Sequence, residues 1–262
     1  MGKKMDAARR PVPSEFASRR PRQHGAHRLY AILRTAIKFG EIDVRSPLDE
    51  RLIGTELAFS RAEVREVLRL LSDEGFLSRK VSVGTFVATT SVAVDLFDFV
   101  PLDPNVRVTR RQTDKFVLGS GGLLAIKLGG EAQQVVLTEH ELMMDGDLVA
   151  INTAFSATGA KHGLSKFDEI EHQQDLEVQF PDEYGTAYGG MEVSVDSRVA
   201  DRHLADVLQV QPGAAILMRE QMMYDTDGNV WEYSLSQWRA DRVVFSSRRS
   251  AGRRLLAADP RT

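Results

Sequence analysis

The stretch Phe59–Phe76, FSRAEVREVLRLLSDEGF, carries two periodic patterns at once. Its apolar side chains recur at the i, i+3, i+4 and i+7 positions, namely at Val64, Val67, Leu68 and Leu71. This spacing predicts a helix with one buried face. A second row follows a four-residue spacing on another face, at Arg61, Arg65 and Arg69. The segment therefore raises the question of what a row of arginines on a short helix binds.

The ends of this helix are marked in the sequence. Ser60 and Glu63 form the S-x-x-E pattern of a capping box, in which each side chain satisfies a backbone N–H group at the helix start. Gly75 is well placed to end the helix, because glycine adopts the left-handed conformation that such an end requires. We therefore expect a helix that begins just after Ser60 and ends near Gly75.

The flanking segments extend this pattern into a domain. Before the helix, apolar residues recur at helical spacing over 29–37, and a further short helix is predicted over 49–57 with Asp49 as its N-cap. After it, two short apolar runs flank the turn VSVG at 81–84 and predict a hairpin. Three helices followed by a hairpin indicate a winged helix-turn-helix.

Such a domain offers a use for the arginines. The recognition helix of a helix-turn-helix enters the major groove, where its N-terminal residues contact bases. Arg61 and Arg65 lie one turn apart near that end, and a guanidinium can donate two hydrogen bonds to one guanine. Arg69 lies farther along and is expected to meet a phosphate. The alternative is a solvated helix face on which Glu63 and Glu66 pair with the arginines.

The charge of the 262 residues is unevenly distributed. Residues 1–87 hold 17 Lys and Arg against 11 Asp and Glu, whereas residues 88–245 hold 12 against 25. A basic front can meet a polyanion, and an acidic body would repel one. The two halves are therefore expected to be separate domains with separate tasks.

The composition also excludes several kinds of site. Cysteine is absent, which excludes disulfides, zinc–thiolate centres and thiol nucleophiles and fits a reducing cytoplasm. No apolar run approaches the length of a membrane span, so no membrane partner is expected. The histidines have no metal-ligand spacing and are interpreted as core or surface residues, namely His140, His162, His172 and His203. No metal, no cofactor and no catalytic residue is predicted.

The segment Pro47–Val87 resembles the DNA-binding domain of GntR-type bacterial transcriptional regulators. The resemblance rests on short pieces at matching intervals, which are Glu50–Arg51, Ser60–Arg61, Val64–Arg65, Leu68, Glu74–Gly75 and Gly84–Thr85–Phe86–Val87. The residues that it implies as DNA contacts are Arg51, Ser60, Arg61 and Arg65.

Two positions depart from the family pattern. Glu63 stands where the family usually has Thr or another small residue, and its carboxylate can either accept from cytosine N4 or serve only the helix cap. The wing reads VSVG up to Gly84, where the family usually has a glycine and a basic or polar tip, so a weaker minor-groove contact is expected. Lys80 beside the wing can still reach a phosphate.

Two segments of the second half resemble each other. Gln133–Phe155 and Ala214–Trp238 each contain an apolar-rich strand, an Asp-Gly turn and another strand, which is a strong hairpin signal. Helical spacing over Val199–Leu208 precedes the second of them. This doubled plan predicts an antiparallel sheet with helices on one side, so the whole chain is expected to be of the α+β class.

The last part of the chain resembles the UTRA effector domain of the HutC-like branch of these regulators. The pieces that carry the resemblance are Leu208, Val210, Gly213, Leu217, Tyr224–Asp225, Asp227–Gly228, Glu232–Tyr233, Arg239, Asp241, Arg242 and Phe245. The match is good over 195–245 and weak over 105–190. The resemblance implies the fold of chorismate lyase and a small-molecule pocket beside the sheet, whose occupation changes DNA affinity.

The same resemblance implies effector contacts at Glu232 and Trp238, although Trp238 replaces a tyrosine. Sugar-phosphate-sensing members place R-x-R on an early strand, where this chain reads TEHEL. Glu139 and Glu141 alternate on one strand face, with His140 opposite. Two carboxylates cannot hold a phosphate as an arginine pair does, so a cationic, hydroxylated or amino-bearing effector is the hypothesis. The alternative is that the two glutamates face solvent and the pocket is apolar.

The predicted boundaries are a disordered basic arm over 1–26, a winged helix-turn-helix over 27–90, a linker over 91–105, a UTRA domain over 106–246 and a basic tail over 247–262. The implied function is that of a cytoplasmic, nucleoid-associated regulator, expected to be a repressor. It would bind a palindromic double-stranded DNA operator as a homodimer and respond to a small-molecule effector. The alternatives are a regulator whose sensor has lost its ligand and serves dimerisation or protein contacts, and a lyase-like enzyme.

Overall fold

The computed structural model describes residues 25–88, 91–97, 100–119, 121–129, 134–157, 169–170 and 176–247. The predicted basic arm before residue 25 and the predicted tail after residue 247 lie outside the described residues. The chain divides into two compact units with a boundary after Ala88, and the short segment Ile37–Glu41 is grouped with the second unit.

The first unit is a winged helix-turn-helix, as the sequence predicts. Its elements are α1 (Gly25–Lys38), α2 (Glu50–Leu57), α3 (Arg61–Asp73), β1 (Leu77–Lys80) and β2 (Gly84–Val87). The strands β1 and β2 pair antiparallel, with Leu77 opposite Val87 and Lys80 opposite Gly84. Residues 81–83 therefore form the tip of the wing.

Side-chain caps determine where α2 and α3 begin and end. Asp49 caps α2, because its carboxylate accepts from two backbone N–H groups of the first turn at 2.8 and 3.0 Å. Ser60 caps α3 in the predicted capping box. Gly75 follows α3 with a φ of +82°, and the next N–H group, that of Phe76, donates to the carbonyl of Leu71 at 2.9 Å. This bond is typical of a helix end closed by a left-handed residue.

The apolar stripe of α3 faces the core of the first unit. All four of its members are buried, namely Val64, Val67, Leu68 and Leu71. Leu29 and Leu33 of α1 and Val87 of the wing are buried as well. Each fully buried Val or Leu stabilises the fold by about 1.5–3 kcal/mol. Because this stripe is held inward, the arginine row on the other face of α3 points outward.

The second unit is built around one large antiparallel sheet. Its elements are β3 (Val92–Asp95), β4 (Val108–Gly119), α4 (Gly122–Lys127), β5 (Gln134–Met144), β6 (Asp147–Ala157), β7 (Glu169–Ile170), α5 (Leu176–Tyr184), β8 (Tyr188–Val199), α6 (Arg202–Leu208), β9 (Ala215–Asp225), β10 (Val230–Arg239) and β11 (Val243–Ser246). Seven of the strands form the sheet in the order β7-β4-β5-β6-β10-β9-β8. The two predicted hairpins are β5–β6 and β9–β10, and they lie side by side at its centre.

The predicted linker over 91–105 contains a strand of the second unit. Within it, β3 pairs in parallel with β11, so that Val92 lies opposite Val243. Val94 of β3 is fully buried and packs in one apolar cluster with Trp238 and Val243. A parallel partner so distant in sequence leaves no local pattern, which is why a stretch with Asp and Pro is interpreted as a linker.

Helices lie on both faces of the large sheet, whereas the doubled sequence plan predicts them on one side. α6 packs against one face through Leu204 and Leu208, which contact Ile216 of β9. α5 packs against the other face through Phe180, which contacts Met223 of β9. Strand residues alternate between faces, and these two β9 positions have opposite parity. The face under α5 is called the inner face below, and the face under α6 the outer face.

The part of the chain that the structure describes offers neither a membrane-spanning helix nor a metal-binding cluster. None of its helices is both long and apolar enough to cross a membrane. It contains no group of three or more acidic or histidine side chains placed to hold a metal ion.

Candidate functional sites

The arginine row of α3 is exposed and weakly engaged. Arg65 Nε lies 3.4 Å from Glu50 Oε2, at the start of α2, and Arg69 Nη1 lies 2.8 Å from Asp73 Oδ2. Within the described residues, Arg61 makes no side-chain hydrogen bond or ion pair. Exposed pairs of this kind contribute about 0–1 kcal/mol, so a phosphate or a guanine can displace them.

Glu63 is committed to the start of the helix. Its Oε2 accepts from the backbone N–H of Ser60 at 2.9 Å and from the Ser60 hydroxyl at 2.7 Å. The hydroxyl bond, followed by the backbone bond, lowers the pKa of the Glu63 carboxyl. Neither Glu63 nor Glu66 pairs with an arginine among the described residues. The pairs that the alternative interpretation requires, of Glu63 and Glu66 with the arginines, are therefore not formed, and the carboxylates that pair with the row are Glu50 and Asp73.

The other predicted DNA contacts surround this row. Arg51 lies exposed in the first turn of α2, beside the Glu50 that contacts α3. Lys80 ends β1, with its ammonium 5.0 Å from the centre of the Phe86 ring. Gly84 has a φ of +139°, and a Cβ on it would lie 2.7 Å from Pro47, so a side chain there would collide with the chain before α2.

The inner face of the large sheet is polar and buried. Strand register places four polar side chains next to one another across β5, β6, β10 and β9, namely His140, Asn152, Ser236 and Arg219. A second buried row runs beside it and contains Thr138, Ser234 and Gln221. Burying a polar group without a hydrogen-bond partner costs about 1–3 kcal/mol in proteins. A face of this kind therefore requires partners for its polar atoms, from the protein or from a ligand.

A carboxylate, a phenol and a guanidinium interact at one end of this face. Tyr184 of α5 donates to Glu232 Oε2 of β10 at 2.8 Å. Burial raises the pKa of Glu232, and the Tyr184 hydrogen bond and the charge of Arg110 oppose that rise. Burial also raises the pKa of Tyr184 well above its usual range, and the Glu232 charge adds to the shift. For Arg110 of β4, burial lowers the pKa while Glu232 raises it.

Arg219 has a different environment, made of carbonyl groups. It is 1% exposed, and its guanidinium donates to the carbonyls of Leu96 and Phe97 at 2.7 and 2.8 Å. A third bond runs to Gln221 Oε1 at 2.6 Å. Arg219 thereby ties the segment after β3 to the inner face. It also keeps a positive charge beneath that segment.

His140 and Asn152 are adjacent, and three of their polar atoms lack hydrogen-bond partners among the described residues. His140 is 1% exposed, and neither of its ring nitrogens has a hydrogen-bond partner among the described residues; the same holds for Asn152 Oδ1. Burial, with the charges of Arg110 and Lys115, lowers the pKa of His140 to about 3. The imidazole is therefore neutral at physiological pH, with one nitrogen donating and the other accepting. Together with the Asn152 carbonyl, it offers hydrogen bonds to a neutral polar group.

The structure does not bring the four predicted effector residues together. Glu232 and His140 lie on the inner face, whereas Glu139 and Glu141 lie on the outer face, because residues alternate along β5. Glu139 is exposed, and Glu141 accepts from Arg111 Nε at 2.9 Å on the surface. The argument against a phosphorylated effector therefore loses its basis.

Trp238 lies on the inner face but within the apolar core. It is fully buried in the cluster with Val94 and Val243, and its ring lies 5.3 Å from that of Phe245. Its indole N–H donates to Ser236 Oγ at 2.7 Å, so its polar atom is satisfied internally. Trp238 thus contacts the polar row through Ser236 and is itself part of the apolar core.

Sequence reasoning missed most of the inner-face residues, which are Arg110, His140, Asn152, Tyr184 and Arg219. On β10 the polar residues alternate with apolar ones, and such alternation normally predicts that the apolar face is buried. Here the more deeply buried positions are Glu232, Ser234 and Ser236. One signal was present in the sequence. Polar residues occupy alternate positions in parts of β9 and β10, and the predicted hairpin pairs these two strands.

Comparison with known proteins identifies both domains. Residues 26–87 match the family model described as bacterial regulatory proteins, gntR family, and residues 144–244 match the UTRA domain model. The HTH-type transcriptional repressor NagR of Bacillus subtilis (strain 168) is 23% identical over 227 residues, covering 81% of this chain and 89% of NagR. An uncharacterized HTH-type transcriptional regulator of Rhizobium meliloti (strain 1021), RB1450, is 23% identical over 223 residues, covering 80% and 89%.

Solved structures include similar folds. PhnF from Mycobacterium smegmatis superposes with a TM-score of 0.56 at 22% identity. The likeness covers 85% of this chain and 99% of the PhnF chain. At this level of identity it shows the fold alone, including the order of the two domains.

Proposed function

Because the chain belongs to the HutC subfamily of GntR-type bacterial transcriptional regulators, with a gntR helix-turn-helix domain ahead of a UTRA domain, we propose that it is an effector-controlled repressor. The observation that carries the proposal is a group of three buried polar atoms on a polar sheet face, His140 Nδ1 and Nε2 and Asn152 Oδ1, which have no hydrogen-bond partner among the described residues. A sheet that served only as a scaffold would gain stability from apolar residues there.

The DNA-binding step uses the N-terminal half of α3. Arg61 and Arg65 are exposed within its first two turns, and a recognition helix contacts bases there. Each can donate two bonds to a guanine, with Arg65 leaving Glu50 to do so. Arg51 and Arg69, with Ser60 and Lys80, make the phosphate contacts that set the register on the duplex. Glu63 acts through the helix cap.

The proposed assembly is a homodimer on a palindromic operator. Dimeric helix-turn-helix proteins read two half-sites one helical turn apart, so a two-fold protein matches a two-fold DNA sequence. The protein then acts in the cytoplasm, on the nucleoid.

The proposed effector is a small polar molecule that forms hydrogen bonds with His140 and Asn152. Glu232 and Arg110 lie at the same face and can hold further polar or charged groups of it. Binding changes operator affinity only by as much as the effector favours one state of the protein over the other. Release of DNA is the proposed direction, supported by the similarity to NagR, a protein named as a repressor.

Two measurements test this function. Selection from a random duplex library should enrich a palindromic sequence, and an equal yield of unrelated sequences would contradict specific binding. The thermal unfolding of the protein should then be followed with a panel of amino sugars, sugar alcohols and sugar phosphates. A compound at 100 times its Kd stabilises the folded protein by about 2.7 kcal/mol. The active compound should also lower the affinity for the selected duplex.

A matched pair of variants locates the effector. His140→Leu with Asn152→Leu removes the unpartnered polar atoms, and the active compound should no longer shift the unfolding temperature. His203→Leu changes the same residue type at an exposed position of α6 and should leave the shift intact. A shift that survives in the double variant would contradict the inner-face site. A panel with no active compound would favour a sensor that has lost its ligand.

A further inference from the structure

The tip of the wing is apolar and exposed. Val81 is 88% exposed and Val83 is 62% exposed, on either side of Ser82. A single exposed valine on a protein surface is ordinary. Here two exposed valines lie together at the tip of the wing, which follows the recognition helix in the chain. They form a small apolar surface in contact with water. Residues 81–83 are called the apolar tip below.

The backbone around the apolar tip is held in place. The N–H of Val83 donates to the carbonyl of Lys80 at 3.1 Å, which closes the turn, and Ser82 has a left-handed φ of +62°. The wing is attached close to its tip to the chain before α2, because the N–H of Leu48 donates to the carbonyl of Thr85 at 2.7 Å. The two valines are therefore presented by an ordered turn.

We propose that the apolar tip reads DNA by inserting Val81 and Val83 into the minor groove beside the recognition helix, where they select base pairs without the guanine 2-amino group. This inference rests on the proposed DNA binding and goes beyond it, because it assigns base readout to the wing. The recognition helix occupies the major groove, so the wing beside it meets the neighbouring minor groove.

The chemistry of the minor groove supplies the selection. There A·T pairs present only acceptors, whereas G·C pairs add the donor N2 amino group of guanine. An apolar side chain pressed against that amino group removes water from it without returning a hydrogen bond. Apolar wedges that enter the minor groove also unstack base steps, which favours flexible steps such as TA. The apolar tip thus prefers A·T pairs without any hydrogen bond of its own.

The charges beside the apolar tip fit DNA as its occupant. Arg79 and Lys80 end β1 and are exposed, so they can bind the phosphates that border the groove. A second copy of the same wing would bring four such cations together. The apolar tip itself has no charged side chain, so any base preference that it confers comes from shape and desolvation.

The experiment uses the full-length protein and the duplex selected from a random library. Each A·T pair flanking the helix half-site is changed to G·C and then to inosine·C, which lacks the 2-amino group. For the wild type, G·C at the positions under the wing should weaken binding about tenfold, within the usual effect of one changed base pair. Inosine·C should restore the affinity there.

The variant Val81→Thr with Val83→Thr keeps the branched shape and adds hydroxyl groups that can bond to the guanine amino group. Its affinities for A·T and G·C flanks should differ by less than about twofold, the size of a small surface effect. Val199→Thr changes an exposed valine of β8 that is 66% exposed and should keep the wild-type pattern. An unchanged tenfold preference in the double variant would overturn the proposal.

Two further outcomes separate this inference from the proposed function. If the wild type shows no selected sequence at all, the DNA-binding function itself fails. If it binds a selected sequence but tolerates G·C in the flanks, only the reading by the apolar tip fails. Replacing thymine by deoxyuridine at the same positions removes the major-groove methyl group. A loss of affinity there would place the valines in the major groove and also overturn the proposal.

Discussion

The recognition helix and the inner face of the sheet use the same kinds of side chain in opposite surroundings. On α3 the arginines are exposed and weakly paired, while the apolar residues are buried. On the inner face, Arg219, Glu232 and His140 are buried, while on the other face of β10 the apolar residues Tyr233 and Leu235 are only partly buried. A polyanion as large as DNA can reach only the first arrangement. A small ligand, once enclosed, gains more from the second, because electrostatic interactions are stronger away from water.

This contrast has a consequence for stability. The exposed arginines carry no desolvation penalty, so the first unit can hold them without loss. The buried polar face is less stable than an apolar one would be wherever its groups lack partners, as at His140 and Asn152. A ligand that supplies those partners recovers the missing free energy. We therefore expect the folded protein to become more stable when such a ligand binds.

The largest expected effect concerns the reading arginines. Arg61→Ala should weaken binding to the selected operator by about 1–3 kcal/mol, because it removes a bidentate base contact. Arg69→Ala, farther along the same face, should weaken binding to all sequences alike and reduce the salt slope by about 1. Fluorescence anisotropy on operator and shuffled duplexes measures both. Equal losses on both duplexes for Arg61→Ala would make it a phosphate contact.

The next effect is a dependence of stability on pH. In the unfolded chain His140 has its ordinary pKa of 6.5, whereas in the folded chain its pKa is about 3. As the pH falls through this window the unfolded state binds the proton first, so stability is lost. Between pH 7.5 and pH 5 the loss is about 2 kcal/mol.

The variants His140→Leu and His203→Leu isolate this contribution in urea unfolding at the two pH values. His140→Leu should remove that part of the acid sensitivity, because leucine does not titrate. His203→Leu replaces an exposed histidine and should keep the wild-type difference. If both variants lose stability with pH as the wild type does, His140 titrates normally and the buried face is open to water.

A smaller effect is expected from the cap at the start of α2. Asp49→Ala should destabilise the first unit by about 1 kcal/mol, because it leaves two N–H groups of α2 without their acceptor. Glu56→Ala, at an exposed position of the same helix, should change stability by less than about 0.5 kcal/mol. Thermal unfolding of the two variants provides the comparison, and equal stabilities would show that the cap is not needed.

The smallest effect is expected on the outer face. Glu139→Gln and Glu141→Gln should each change stability by less than about 0.5 kcal/mol, because Glu139 is exposed and the half-buried Glu141 loses only an ion pair with the exposed Arg111. They should also leave the ligand-induced shift in unfolding temperature unchanged. A lost shift in either variant would move the effector site to the outer face, in agreement with the sequence hypothesis.

The two regions also differ in how far the sequence predicts them. The capping box at Ser60, the stripe beginning at Val64 and the helix end at Gly75 are local signals, and all three are confirmed. Each of them depends on residues within one or two turns. The winged helix-turn-helix and the two hairpins could therefore be predicted from single segments.

The inner face depends on contacts that no single segment contains. Asn152 and His140 become neighbours only through strand register, and Tyr184 reaches Glu232 only once α5 packs on the sheet. The pairing of β3 with β11 is equally distant in sequence. The alternation along β5 predicts that Glu139 and Glu141 lie on the opposite face from His140. It does not predict which of the two faces is buried, because that depends on the packing of α5 and β3.

The most direct test of the account is the affinity of the full-length protein for its selected duplex and for a shuffled duplex, measured by fluorescence anisotropy across a salt series. The account predicts binding at least about a thousandfold tighter to the selected duplex at physiological salt, with affinity falling steeply as salt rises. Equal affinity for the two duplexes would contradict it, because the arginine row would then be no more than a charged surface.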